Sequence, residues 1–267
     1  MNFLDMLNDK IADFFETEKY AFNPEAPELS PERLFALNVG AINAEQTSFF
    51  TNSLTTGQDV DALREKLEEN YGITDEESFA STLQWFLHQG HRMDFEFGVK
   101  PLLAGQSIDF PEDMTEEEKA AVQEEMSDYV TNLHECTEEL KDVHLIAKPE
   151  DFLTADIFAW DFGRCIVVVR SAYDCGFVSE EDAWEIIEVI GRAAGKHYVS
   201  WKDLAAGYLI GRAMWSGSGV MLTGLISIAE GLLEDEDSPW TKIPFMINEA
   251  EDYDEAEDDE EVDPSAR

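Results

Sequence analysis

The chain has 267 residues, of which 44% are hydrophobic and 11% aromatic, and its 59 acidic and 18 basic side chains give a formal net charge of −41. A chain of this length and apolar content buries a core without disulfide or metal support, and nine Pro with 16 Gly exclude a collagen-like or wholly low-complexity chain. The charge argues against DNA or RNA as direct ligands, because proteins that bind nucleic acids set Lys and Arg against the phosphates.

The same charge argues against a membrane surface. The N-terminal amphipathic stretch, residues 3–18, carries five acidic residues and one basic residue, and an anionic leaflet would repel it. The first residues lack the basic region of a signal peptide, and the most apolar segment, Val220 to Leu233, is too short for a span and contains Glu230. Three cysteines without CxxC spacing suit reduced thiols. We therefore expect a cytoplasmic protein without membrane association.

Helix signals run along the first half of the chain. Apolar residues at helical spacing predict a first helix within residues 3–18. Ser30-Pro31-Glu32 has the pattern of a helix start and predicts a helix running toward Phe49. A third helix is predicted over Asp59 to Asn70, and a capping box at 74–77 predicts a fourth that ends before Gly90. A second capping box, at 115–118, predicts another helix.

Three further helices are predicted after Pro149. The segment Ala155 to Tyr173 is apolar nearly all round, which predicts a central buried helix, although its Cys-Ile-Val-Val-Val run also fits a strand. Ser179 and Ser200 have the pattern of caps for the two helices that follow. The paired glycines at 191 and 195 and at 207 and 211 predict close approach of a neighbouring helix, because an internal glycine costs about 1 kcal/mol relative to Ala.

These signals predict an all-α protein, a compact multi-helix bundle with at least eight helices. We expect an acidic helical subdomain over residues 1–150, a helical core over residues 151–248 and an acidic tail over residues 249–267. Between Glu249 and Asp263, 11 of 15 residues are acidic, and such a segment is expected to be disordered.

Catalytic and metal-binding templates fit poorly. The segment 215–219 lacks the Gly-x-Ser-x-Gly frame of a nucleophile elbow, and residues 191–196 are one residue short of a phosphate-binding loop. The segment His134 to Glu138 has Glu where a zinc-binding HExxH helix needs its second His. The sequence therefore indicates no metal and no cofactor, and it identifies no catalytic residue.

Four polar stretches place charges within apolar helices, at residues 90–92, 160–164, 198–201 and 211–215. An ionised Asp161 on a buried helix needs a partner, and Arg164 or Arg212 can supply one, with Trp rings against the guanidinium groups. One interpretation is an internal ionic network that fixes helix register. The other is a pocket that uses Arg for an anionic group and His91 as acid or base. The candidate residues are His91, Arg92, Trp160, Asp161, Arg164, Ser200, Trp201, Arg212 and Trp215.

Several motifs, spread over about residues 34–232, resemble a bacterial family of proteins known as domain of unknown function 1266, with members in enterobacteria. They are Leu37 to Ala44, Tyr71-Gly72-Ile73-Thr74, Leu83-x-Trp85-Phe86-Leu87-x-x-Gly90-His91-Arg92, Trp160-Asp161-x-Gly163-Arg164, the helix start at Ser179 to Trp184, Tyr198-x-Ser200-Trp201 and Tyr208-x-x-Gly211-Arg212-x-x-Trp215. The resemblance implies an all-helical cytoplasmic protein and supplies no reaction. It also implies an association with polymorphic toxin systems, in which immunity would be the role.

The sequence supports two candidate functions. The first is an acidic binding protein that neutralises or chaperones a basic protein partner, such as a toxin domain, because complementary charge speeds encounter and rejects wrong partners. The acidic elements available for this are residues 116–118, residues 234–237 and the tail. The alternative is an enzyme that uses the His, Arg and Asp residues on a phosphorylated or ADP-ribosylated substrate. Solubility or adaptation to high salt would also explain the charge, and the sequence does not indicate an oligomeric state.

Overall fold

The computed structural model describes residues 19–247, and every regular element in this range is a helix. The first half contains α1 (Pro31–Asn38), α2 (Ala41–Thr47), α3 (Val60–Tyr71), α4 (Glu76–His88), α5 (Gly90–Asp94), a π-helical turn (Phe95–Val99), α6 (Lys100–Leu103) and α7 (Glu116–Asp142). After a 3-10 turn (Pro149–Leu153) come α8 (Phe158–Asp174), α9 (Glu180–His197), α10 (Trp201–Ser216), α11 (Val220–Glu234) and α12 (Pro239–Lys242). The prediction of an all-α protein with at least eight helices is confirmed for this range.

The predicted helix starts follow from side-chain caps. Ser30, Asp59, Thr115, Ser179 and Ser200 each accept the N–H of the residue three positions on, which satisfies a donor that a helix N-terminus leaves free. The capping box predicted at 74–77 lies one residue later, with Asp75 as the cap and Ser78 returning the bond.

One predicted helix is divided in two. The helix that starts at Pro31 ends at Asn38, and α2 begins at Ala41, so the run toward Phe49 is not continuous. Helix α8 approaches closely at this break, because a Cβ on Gly40 would lie 3.0 Å from Cγ2 of Ile166. The segment from Gly90 to Leu103, with two short helices around a π-helical turn, was not predicted.

Helix α8 lies at the centre of the fold. Eleven of its 17 residues are buried, and it packs against α10 and α9 and against α2, α3, α4 and α5. The Cys-Ile-Val-Val-Val run, which also fitted a strand, is part of this helix. A Cβ on Gly211 would lie 2.4 Å from Cβ of Trp160, which confirms close approach of α10 to α8 at this glycine.

Further expectations concern the cysteines, membrane association and the two ends of the chain. The three cysteines, Cys136, Cys165 and Cys175, are free and buried. None of the helices in residues 19–247 combines the length and the apolarity that a membrane span requires. The helix predicted within residues 3–18 and the acidic tail from residue 249 lie outside the described residues.

Candidate functional site

The carboxylate of Asp161 is the centre of a buried polar cluster. Its side chain is 1% exposed, and its oxygens accept the backbone N–H groups of His91 at 3.2 Å and Arg92 at 3.0 Å. They also accept Nη1 of Arg92 at 3.2 Å and Nη2 of Arg164 at 2.6 Å. We call these four residues, His91, Arg92, Asp161 and Arg164, the Asp161 cluster.

Gly90 makes this arrangement sterically feasible. Helix α4 ends at His88, and Gly90 adopts a φ of +65° as the chain turns into α5. A Cβ at this position would lie 2.2 Å from Oδ2 of Asp161, so only glycine leaves room for the carboxylate. The first N–H groups of α5 then point at Asp161, which acts as an anion bound at a helix N-terminus.

Arg92 joins the end of one helix to the start of the next. Besides contacting Asp161, its guanidinium donates to the carbonyl oxygens of Phe86 at 2.6 Å and Leu87 at 2.7 Å. These carbonyls belong to the last turn of α4, where a helix leaves acceptors unpaired and favours a cation. Arg92 therefore stabilises the α4–α5 junction through both of its terminal nitrogens.

The guanidinium of Arg164 also has partners besides Asp161. Its Nε donates to the carbonyl oxygen of Trp160 at 3.1 Å, and its Nη2 lies 2.8 Å from Nδ1 of His91. Because a guanidinium only donates, Nδ1 of His91 is the acceptor and the ring proton lies on Nε2. The guanidinium also lies 4.4 Å from the centroid of the Trp160 ring.

The protonation states follow from these contacts. Burial alone would raise the pKa of Asp161, but the charge of Arg164 and the N–H of Arg92 oppose it, and the pKa lies below its ordinary value. Burial raises the pKa of the neighbouring Cys165 thiol to about 12, which keeps it protonated. The cluster is thus an ionised aspartate held between two arginines, a network in which each charge has a partner.

A cavity of about 660 Å³ lies beside the cluster, between α2, α3, α8, α10 and α11. Arg164 forms part of its wall, and so does Arg212, whose side chain is 7% exposed. Exposed residues, among them Lys66, Trp215 and Met221, also line it, so the cavity opens to solvent. We call it the Arg212 cavity.

Arg212 differs from the other two arginines. Within residues 19–247 it has no ion pair, no hydrogen bond is made by its guanidinium, and its Nη1 is a buried atom without a partner. Its guanidinium lies 5.5 Å from the centroid of Trp215. Burial lowers the pKa of Arg212, while Tyr208 and Cys136 oppose this effect. Of the two partners considered for Asp161, the structure selects Arg164 and leaves Arg212 in the cavity wall.

Residues 66–245 match the sequence model of a protein family that is described as a protein of unknown function (DUF1266). The chain belongs to the DUF1266 family. The search of the curated proteins and the search of the solved structures gave no significant match. The segment matched by DUF1266 contains the whole Asp161 cluster and Arg212, whereas α1 and α2, including the Leu37 to Ala44 motif, lie before it.

The structure of this DUF1266 protein separates two candidate residues from the rest. Ser200 caps α10 by accepting the N–H of Asp203, and Trp201 stacks on Trp240 with ring centroids 5.1 Å apart. The indole N–H of Trp201 donates to the carbonyl oxygen of Ile243. Neither residue lines the Arg212 cavity or contacts Asp161, because both side chains serve the start of α10 and its packing on α12.

Sequence reasoning missed other polar residues of the DUF1266 protein. Arg170 is 1% exposed and donates to the carbonyl oxygens of Phe50, Ser53, Leu54 and Thr55, so it holds the loop between α2 and α3. Asn43 donates to the hydroxyl of Tyr208 at 2.8 Å and lines the cavity. The sequence does contain a signal for Arg170, because it is a single charged residue at the end of an apolar run in α8.

A second cavity, of about 720 Å³, lies where α8 begins and α9 ends. The carboxylate of Asp156 lies there 2.8 Å from Nδ1 of His197 and accepts the hydroxyl of Tyr198 at 2.8 Å. The Tyr198 hydroxyl in turn accepts the N–H of Ala159. These groups satisfy one another. Among residues 19–247 of the DUF1266 protein, no group of three or more His, Cys, Asp or Glu side chains could hold a metal ion.

Proposed function

We propose that the protein binds a basic partner protein through the outer face of α7. This face carries a row of five exposed carboxylates, which we call the acidic ridge: Glu117, Glu124, Asp128, Glu135 and Asp142. The spacing of seven, four, seven and seven residues keeps all five within about 40° around the helix axis, at about 100° per residue. The ridge is the observation that carries the proposal.

The ridge is long, and none of the ion pairs found among the described residues involves one of its carboxylates. At about 1.5 Å per residue it extends over about 38 Å, comparable to the diameter of a small domain. The ion pairs that α7 makes within residues 19–247 are Lys119 with Glu116 and Lys141 with Glu138, both on residues outside the ridge. A row of free carboxylates attracts a basic surface over long distances, and buried anchors then supply most of the affinity.

An immunity role is the specific form of this proposal. A toxin domain that acts on nucleic acid needs a basic cleft for the phosphates, and an acidic protein in the cytoplasm can cover that cleft. The acidity of the chain supports such a partner, and the DUF1266 family assignment adds no reaction.

An enzyme that uses the Asp161 cluster is the less favoured proposal. A general base needs a free lone pair that faces substrate. The Asp161 oxygens accept hydrogen bonds from two backbone N–H groups and two guanidinium groups. Nδ1 of His91 accepts a hydrogen bond from Nη2 of Arg164. These contacts favour a structural role for the cluster.

The experiment is affinity purification from the native host at low salt with three forms of the intact protein. One is the wild type and one carries the five ridge substitutions E117Q, E124Q, D128N, E135Q and D142N. The third is a charge-matched control with substitutions at exposed acids on other elements, E65Q, E68Q, D113N, E181Q and E185Q.

We expect one basic protein to be enriched with the wild type and the control, to be lost with the ridge variant and to elute as salt rises. If the ridge variant and the wild type capture the same basic proteins in the same amounts, the proposal fails, because the charge then acts as a non-specific polyanion.

A further inference from the structure

Three residues that line the Arg212 cavity each carry a buried polar atom without a hydrogen bond among residues 19–247. Three buried side-chain atoms within residues 19–247 lack a hydrogen bond, namely Oδ1 of Asn43, Nε1 of Trp160 and Nη1 of Arg212. Their residues come from α2, α8 and α10, each is more than nine-tenths buried, and all three line this cavity. Because buried polar groups are almost always hydrogen-bonded, three such atoms around one cavity indicate a missing partner.

The charges of the cavity wall reverse those of the chain. The lining contains three bases, Lys66, Arg164 and Arg212, and one acid, Glu69, whereas the whole chain has 18 bases and 59 acids. Asp161 is already the ion-pair partner of both Arg164 and Arg92. Arg212 therefore lacks a counterion among the described residues, and an anion in the cavity would supply one.

Aromatic rings form another part of the wall. The Trp160 ring lies 5.2 Å from the ring of Tyr208 and 5.9 Å from that of Trp215, measured between centroids. Trp215 is 46% exposed and lies at the open side of the cavity. Flat rings of this kind pack against a planar apolar group, and a volume of about 660 Å³ is within the range of small-molecule sites.

We propose that the Arg212 cavity binds a small organic anion with an aromatic ring, whose anionic group pairs with Arg212 and whose ring lies against Trp160, Tyr208 and Trp215. This site is separate from the acidic ridge, since no ridge residue lines the cavity.

The test uses three probes of the same shape and measures binding to the full chain by isothermal titration calorimetry. The probes are 1-naphthylacetate, 1-naphthyl phosphate and the neutral 1-naphthylacetamide, with inorganic phosphate as the ion without a ring. The variants are Arg212→Met, Arg212→Lys and, as a matched control, Arg33→Gln. Arg33 lies outside the cavity, pairs with Glu188 at 2.7 Å and lies over Trp184.

We expect at least one naphthyl anion to bind the wild type and the Arg33→Gln variant at least about tenfold more tightly than the amide or inorganic phosphate. Arg212→Met should lose this preference, and Arg212→Lys should recover part of it because the charge is kept. The better of the two anions identifies a carboxylate or a phosphate as the natural group. Binding that is equal in the wild type and in Arg212→Met, or no binding of either anion at millimolar concentration, would overturn the proposal.

Discussion

Oδ2 of Asp161 lies 3.0 Å from the backbone nitrogen of Arg92, and 69 residues of sequence separate the two positions. This contact links the central helix α8 to the start of α5, while the Arg92 side chain closes the end of α4. One aspartate thus fixes the relative positions of three helices. Each charge within the cluster has a partner, whereas Arg212, which has no ion pair within residues 19–247, lies in the wall of the neighbouring cavity.

Replacing Asp161 by Asn should strongly destabilise the fold. The amide keeps one acceptor oxygen, presents N–H groups to former donors and leaves Arg92 and Arg164 without a buried counterion. Breaking a buried ion pair in this way costs about 3–5 kcal/mol, which urea unfolding would measure. Asp237→Asn, at the exposed pair with Lys242, serves as the control and should change the unfolding free energy little. An equal, small effect at both sites would contradict a structural role for the cluster.

Gly90→Ala should cost more than Gly72→Ala, although both glycines have a φ of +65°. A Cβ at Gly72 meets open space, so that variant pays only for the left-handed conformation, about 1–2 kcal/mol. A Cβ at Gly90 would in addition collide with the Asp161 carboxylate. We expect the difference in unfolding free energy to reach at least about 1 kcal/mol. Equal losses would mean that the turn tolerates a side chain and that the carboxylate can move away.

Asp94 should make stability depend on pH in an identifiable way. Burial, helped by the charges of Glu125 and Asp161, raises the pKa of Asp94 to about 6 from an ordinary value of 3.8. The folded state therefore holds more protons than the unfolded state between these values, and the cost of ionised Asp94 is relieved as pH falls through about 6. Above pH 6, Asp94→Asn should be more stable than the wild type because it removes this partly buried charge. We expect a gain of only about 1 kcal/mol, because solvent screens a partly exposed group.

The measurement is urea unfolding of both proteins at pH 7.5 and pH 5.0. The stability difference should shrink at pH 5.0, whereas Asp113→Asn, at an exposed carboxylate, should show no such change. A difference of the same size at both pH values would mean that Asp94 titrates normally in the folded protein.

The sequence predicts the helices better than it predicts the site. Local signals suffice for the caps at Ser30, Thr115 and Ser179 and for the apolar stripe of α8, because each depends on residues within one or two turns. The short helices after Gly90 have no such signal, since their geometry is set by the contact with Asp161.

The pairing of the charges is set by tertiary structure. Arg164 and Arg212 occur in similar Gly-Arg motifs in α8 and α10, and sequence alone leaves both as partners for Asp161. Arg164 lies one helical turn from Asp161 on the same helix, so it reaches the carboxylate. Arg212 enters from α10 and lies in the cavity wall instead. Trp201 was also a candidate from its sequence motif, yet its stacking on Trp240 depends on a segment 39 positions later.

The most direct test of this division of roles is urea unfolding of Arg164→Met and Arg212→Met, measured beside the wild type without added ligand. Arg164→Met leaves Asp161 short of a buried partner and should lower the unfolding free energy by about 3 kcal/mol or more. Arg212→Met removes a buried charge that has no counterion in the part of the chain that the structure describes, and it should leave the unfolding free energy unchanged or raise it. A loss for Arg212→Met as large as that for Arg164→Met would contradict the account, because Arg212 would then be a structural residue like the others.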